Sequence, residues 1–121
     1  MNFGIIIPAY NEEKSIVLTL QSLINQSFVP YQIIVVDDGS TDNTAQLVSE
    51  MAVQHPQIQL VQRKEKGEHQ PGAKIVQTFN FGLPYLKKEV DVICKYDADL
   101  VFPVNYFEVM NIHYTENQQL G

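Results

Sequence analysis

Short unbroken apolar runs alternate along this chain with longer stretches whose apolar residues recur at helical spacing. The first run, Phe3-Gly4-Ile5-Ile6-Ile7, stops at Pro8, which has no N–H to give to a sheet ladder. Runs of this kind, rich in β-branched residues, suit strands buried on both faces, as in parallel sheets. After a polar connection, Ile16, Val17, Leu20, Leu23 and Ile24 fall at i, i+1, i+4, i+7 and i+8. That is one face of a helix, and Pro30 lies beyond its end. Residues 32–36 form a second apolar run, followed by Asp37-Asp38-Gly39-Ser40-Thr41-Asp42. Gly39 permits a tight turn there, and Ser40 or Thr41 is suited to cap the next helix. That helix carries Ala45, Leu47, Val48, Met51 and Ala52 and ends near His55-Pro56.

Residues 58–62 make a third, weaker strand. Residues 63–72 are polar and contain two glycines and a proline, which predicts a mobile loop. Ala73, Val76, Phe79, Leu83 and Leu86 then predict a third helix, and residues 90–96 a fourth strand. Pro103 suits a first helical position, with Val104, Phe107, Met110 and Tyr114 as the apolar side of a last helix. The order βαβαβαβα predicts one α/β domain over residues 1–121: three layers, α/β/α, with a mostly parallel Rossmann-like sheet and right-handed crossovers.

In such sheets ligands bind beyond the carboxyl ends of the strands, where the strand order reverses. The polar residues of this chain collect at that rim. Tyr10, Asn11 and Glu12 follow the first strand, Asp37 and Asp38 the second, and Asp97 and Asp99 the fourth. Asp97 and Asp99 are two residues apart, so in extended backbone they aim to the same side. Two carboxylates so close favour a cation between them. Magnesium commonly takes one or two carboxylates together with a substrate's phosphates. A lone Asp-x-Asp is more often a turn whose side chains cap local backbone. Its place among the other rim acids changes that balance.

Composition narrows the partners. The chain has 8 basic and 14 acidic residues, a net charge of −6, which argues against a nucleic acid. It leaves room for a phosphorylated small molecule bridged by a metal. The single cysteine, Cys94, allows no disulfide within the chain and fits a reducing, cytoplasmic setting. The N-terminus has no signal-peptide pattern, and no apolar run approaches membrane-spanning length. Membrane association is therefore expected only through parts outside this chain, at the inner face. His55, His69 and His113 show no metal-ligand spacing.

Three blocks, Pro8-Ala9-Tyr10-Asn11-Glu12-Glu13, residues 35–42 and Asp97-Ala98-Asp99, closely resemble the family 2 glycosyltransferases, which have the GT-A fold. Residues 72–83, with Asn80 and Gly82, resemble that family's third-helix segment. The likeness covers nearly the whole chain. It implies a hexosyltransferase-type enzyme that uses a nucleotide-diphospho-sugar donor. Pro8, Ala9 and Tyr10 are then expected to line the base pocket, with the Tyr10 ring stacking on the base. Glu12 and Asp38 are expected to accept hydrogen bonds from base or ribose. Asp97 is expected beside the ribose and the metal, and Asp99 as the main ligand of Mg²⁺ or Mn²⁺. The family's general base lies downstream in an acceptor-binding half, so it is expected beyond Gly121. The acceptor, a glycan, lipid or polysaccharide precursor, is not specified by these residues. On this reading the chain is a donor-binding half cut before the acceptor half.

Three alternatives compete. A phospho-accepting receiver domain has similar length, but needs its acid pair after the first strand and an Asp after the third; here those places hold Pro8-Ala9-Tyr10 and Gln62-Arg63. A nucleotidyltransferase wants a glycine-rich basic loop after the first strand. A non-catalytic nucleotide-sugar binder differs only in lacking the base.

Overall fold

A computed structural model of the chain describes residues 1–63 and 71–120. Its elements run β1 (Phe3–Ala9), α1 (Ile16–Ile24), β2 (Gln32–Asp37), α2 (Thr44–Gln54), β3 (Ile58–Gln62), α3 (Pro71–Gly82), a 3-10 turn (Leu83–Tyr85), β4 (Val92–Lys95) and α4 (Tyr106–Leu120). The four strands form one parallel sheet in the order β3-β2-β1-β4. The first two crossovers move outward from β1 to β3. The third returns across the sheet to the far side of β1, so the strand order reverses between β1 and β4.

Alternation along the strands divides the core. Phe3, Ile5, Ile7, Ile33 and Val35 point to one face, where Ile16, Leu20 and Leu23 of α1, Val48 of α2 and Phe107 of α4 cover them. Ile6, Ile34, Val36 and Val61 point to the other, under Phe79, Leu83 and Leu86. Helices therefore lie on both faces, as right-handed crossovers require once the strand order reverses. On the α3 face the helix sits very close: a Cβ added at Gly82 would lie 2.8 Å from Cγ2 of Val36 and 3.1 Å from Cγ2 of Ile6.

Several boundaries depart from the sequence expectation, each for a local reason. β1 continues through Pro8 to Ala9. The carbonyl of Ile6 accepts from the N–H of Tyr96 on the β4 side, and that of Ala9 accepts from the N–H of Asp38 on the β2 side. Pro8 shares the side of Ile6, where pairing with β4 ends at Lys95, so its missing N–H leaves no gap in a ladder. α3 begins at Pro71, inside the expected loop, and ends at Gly82, because Pro84 turns the chain into the 3-10 segment that carries Leu83. Of the mobile loop expected over residues 63–72, residues 64–70 lie outside the described residues. β4 starts at Val92 rather than residue 90. α4 starts at Tyr106, not Pro103. There the buried Gln26 receives the N–H of Phe107 on its Oε1 at 3.0 Å and donates from Nε2 to the Pro103 carbonyl at 2.6 Å. α2 starts at Thr44, beyond both expected caps. Asp42 accepts the Thr44 N–H at 2.9 Å instead.

Candidate functional site

The site is built where β1 and β2 end and the chain turns into α1 and α2. Asn11 takes the left-handed backbone conformation, with φ of 53°. Asparagine tolerates that region better than most residues. The conformation aims its side chain at the β2–α2 loop. Asn11 Oδ1 accepts from the N–H of Thr41 at 2.8 Å and of Asp42 at 3.3 Å. In return the Asn11 N–H donates to Ser40 Oγ, the Glu12 N–H to Thr44 Oγ1 and the Glu13 N–H to Asp42. Glu13 closes the set by accepting from the Asn43 N–H. The two loops are laced together by side chains. Sequence patterning missed Asn11 in this role; an asparagine just after a strand, opposite Gly39-Ser40, was the available signal.

Desolvation works to raise the Asp42 carboxyl. Hydrogen bonds from the Thr44 hydroxyl and from the N–H groups of Thr44, Glu13 and Asp42 itself outweigh it and hold Asp42 below the usual aspartate value. Asp42 is thus committed to the loops.

Tyr10 stands at the rim, 45 % exposed, next to the buried Ala9. Asp38 is buried, its Oδ1 receiving Arg63 Nη1 at 3.0 Å. The same guanidinium reaches Thr78 Oγ1 at 3.4 Å and Gln77 Oε1 at 3.1 Å on α3. Arg63 is a second residue that patterning missed, although it is the first residue after β3 and so lies on the same rim. Asp37 turns inward beneath α1 and α2. It is buried, and its Oδ1 has no hydrogen-bond partner. Glu12 is half-buried and accepts from Ser15 Oγ at 3.0 Å.

β4 ends at Lys95, and the acidic pair lies on a turn rather than on extended strand. Ala98 is buried, while Asp97 and Asp99 on either side of it are exposed. Lys95 Nζ approaches Asp97 Oδ1 at 4.0 Å, with both side chains well exposed, so this pair holds Asp97 only weakly. Among the described residues no group of three or more His, Cys, Asp or Glu could enclose a metal ion. Two outward carboxylates fit a hard cation whose remaining ligands come from an anionic molecule and water, and do not make an all-protein cage.

Below the turn, Tyr96 stacks edge-on against Phe102 at 4.8 Å and its hydroxyl donates to that of Tyr106 at 3.2 Å. Burial pushes the Tyr96 phenol far above the ordinary tyrosine value, and the hydrogen bond with Tyr106 and the neighbouring Cys94 add to the shift. A folded-state value raised above the unfolded one stabilises the fold below the unfolded value, about pH 10, and that contribution is lost as pH rises beyond it. Stability is therefore expected to fall between pH 9.5 and 11 (roughly, from the ordinary tyrosine value), and the fall should be shallower in Tyr96→Phe. Urea unfolding across that range measures both; equal slopes would contradict the shift.

Sheet, helices and acidic rim together define a mixed α/β protein of the GT-A glycosyltransferase type. The family model described as glycosyl transferase family 2 matches residues 4–118, and the chain belongs to that family. It is 33 % identical over 113 residues to the probable glycosyltransferase YdaM of Bacillus subtilis (strain 168), across 92 % of this chain and 24 % of that protein. Among solved structures it resembles S. aureus TarS 1–349 in complex with UDP, with TM-score 0.76 and 27 % identity, covering 96 % of this chain and 32 % of that one. It also resembles the mannosyltransferase PcManGT from Pyrobaculum calidifontis in complex with GDP-Man and Mn2+, with TM-score 0.68 and 28 % identity, covering 84 % and 28 %. The chain thus spans 24–32 % of the length of these relatives. Among the described residues no helix is long and apolar enough to cross a membrane.

Proposed function

We propose that this chain forms the donor-binding part of a glycosyltransferase that takes a sugar from a nucleotide-diphospho-sugar and passes it to an acceptor hydroxyl. The observation that carries the reading is the outward acidic pair at the end of β4, beside the Tyr10 rim and at the reversal between β1 and β4. Relatives of this fold bind UDP or GDP-Man with Mn2+, which supports a donor of that class.

The exposed Tyr10 ring offers a stacking face for the base, with Pro8 and Ala9 forming the wall beneath it. Asp38, held by Arg63, and Glu12, held by Ser15, offer carboxylate oxygens to base and ribose. Asp97 lies nearer β4 and serves ribose and cation; Asp99 serves the cation. A bound Mg²⁺ or Mn²⁺ neutralises charge on the diphosphate as the sugar departs. With a net charge of −6, the protein gains most from such a bridge, since its own acids repel a diphosphate. The acceptor hydroxyl still needs a base, which commonly contributes about 10²–10⁴-fold. We place that base outside residues 1–121, along with the acceptor site, and the site of action on the cytoplasmic side of a membrane.

Calorimetric titration with UDP, GDP and dTDP, each with Mn²⁺, Mg²⁺ or a chelator, tests the reading. At least one nucleotide is expected to bind, and more tightly with metal. Equal affinity in chelator would remove the metal from the site. Absence of binding by all three nucleotides would overturn the donor reading.

A further inference from the structure

The turn that carries Asp97 and Asp99 is held from beneath by α1. The carbonyl of the intervening Ala98 accepts from Ser15 Oγ at 3.1 Å and from Thr19 Oγ1 at 3.0 Å. Ala98 and Thr19 are both buried, so the bond between them forms away from water, while that from Ser15 is half-buried. Ser15 precedes the first residue of α1, and Thr19 follows one turn later on the same side. We infer that Thr19, with Ser15, is a positioning residue that sets the orientation of the acidic pair and thereby its grip on a cation. The inference rests on the donor-site reading above.

A carbonyl oxygen has two lone pairs, so Ala98 can accept both hydroxyls at once. A hydroxyl has one proton, and each of these has a second acceptor in reach. Ser15 Oγ is 3.0 Å from Glu12 Oε2, and Thr19 Oγ1 is 3.2 Å from the Ser15 carbonyl. When Ser15 donates to Glu12, Thr19 alone holds Ala98. When Ser15 donates to Ala98, Thr19 can turn to its own helix. Thr19 is therefore the donor that keeps the turn in place while Glu12 draws on Ser15. Rotation of the Ala98 carbonyl would swing Asp97 and Asp99 apart, because that peptide unit lies between their Cα atoms. Thr19 is fully buried, away from the rim where nucleotide and cation would bind. Its effect passes through the backbone of the turn.

The test separates this role from ordinary stabilisation. Thr19→Val keeps the shape of the side chain and removes the donor; Thr19→Ser keeps the donor. Binding of Mn²⁺ to the protein is followed directly by the paramagnetic resonance of the free ion, with UDP present. Calorimetry with UDP in chelator supplies the metal-free affinity. Thr19→Val should weaken Mn²⁺ binding about tenfold, the lower range for loss of an outer-sphere partner, and leave the metal-free UDP affinity unchanged. Thr19→Ser should restore the wild-type value. Unchanged Mn²⁺ binding in a folded Thr19→Val protein would overturn the inference. So would a parallel loss of metal-free UDP affinity, which marks a general structural defect, or equal behaviour of the Val and Ser variants. If the Val variant fails to fold, Thr19→Cys, of similar size and a weak donor, carries the same comparison. Wild-type protein that binds UDP but no Mn²⁺ would defeat this inference while leaving base recognition standing; no UDP binding at all would defeat the donor reading itself.

Discussion

Asp99→Asn should abolish most of the gain in nucleotide affinity that a divalent cation brings, by roughly 100-fold, the upper range known for even outer-sphere partners of a metal. The substitution keeps the shape of the side chain and removes its charge. A neutral amide oxygen is a poorer ligand for a hard cation, and Asp97, partly occupied by Lys95 at 4.0 Å, is left to hold it alone. Stability should change by less than about 0.5 kcal/mol, because the residue lies exposed on a turn. Calorimetry with and without Mn²⁺, paired with a thermal melt, measures both. A melt lowered by many degrees would make Asp99 a structural residue, and an unchanged metal effect would take it out of the site.

Phe107→Ala should have the largest effect on folding, a loss of about 3–5 kcal/mol. Phe107 is fully buried, and its ring centroid lies 5.4 Å from that of Phe3, 5.1 Å from Tyr106 and 5.9 Å from Phe102. It joins α4 to β1 and to the segment just past the acidic turn, so truncation leaves a cavity shared by three elements. Against a total stability of about 5–15 kcal/mol, such a loss leaves little of the fold. Val109→Ala, on the exposed side of the same helix, should cost far less. Urea unfolding of the two variants makes the comparison, and a loss below about 1 kcal/mol for Phe107→Ala would show that α4 contributes little to the core.

Apolar runs and helical spacing carried most of this fold, because a parallel sheet covered on both faces imposes its pattern on the sequence. β3 falls on residues 58–62 as expected, and α1 begins and ends with its apolar face at Ile16 and Ile24. The pattern failed where a single side chain sets a boundary. Pro103 looks like a helix start, but the helix waits for Tyr106, where Gln26 supplies an acceptor from 81 residues away. Val104, expected on the buried side, is consequently exposed. The strand-end acids were legible as a group because the fold puts all those ends on one rim. Their partners were not. Arg63 meets Asp38 across 25 residues, and Thr19 meets Ala98 across 79, so no local periodicity reports either pair.

The lacing around Asn11 bears on how the rim opens. The N–H groups of Asn11, Glu12, Glu13, Thr41, Asp42 and Asn43 all bond to side chains across the two connections, that of Glu12 reaching Thr44 at the start of α2. None of these is a backbone bond of a helix or strand, so they are not lost one by one as a ladder frays. Opening either loop breaks the bonds of both, which makes residues 11–13 and 41–43 one cooperative unit with a single opening free energy. Such a unit has two populations, laced and unlaced, with little between. Its amides should then exchange with solvent at a common rate, although they come from two stretches of chain about thirty residues apart.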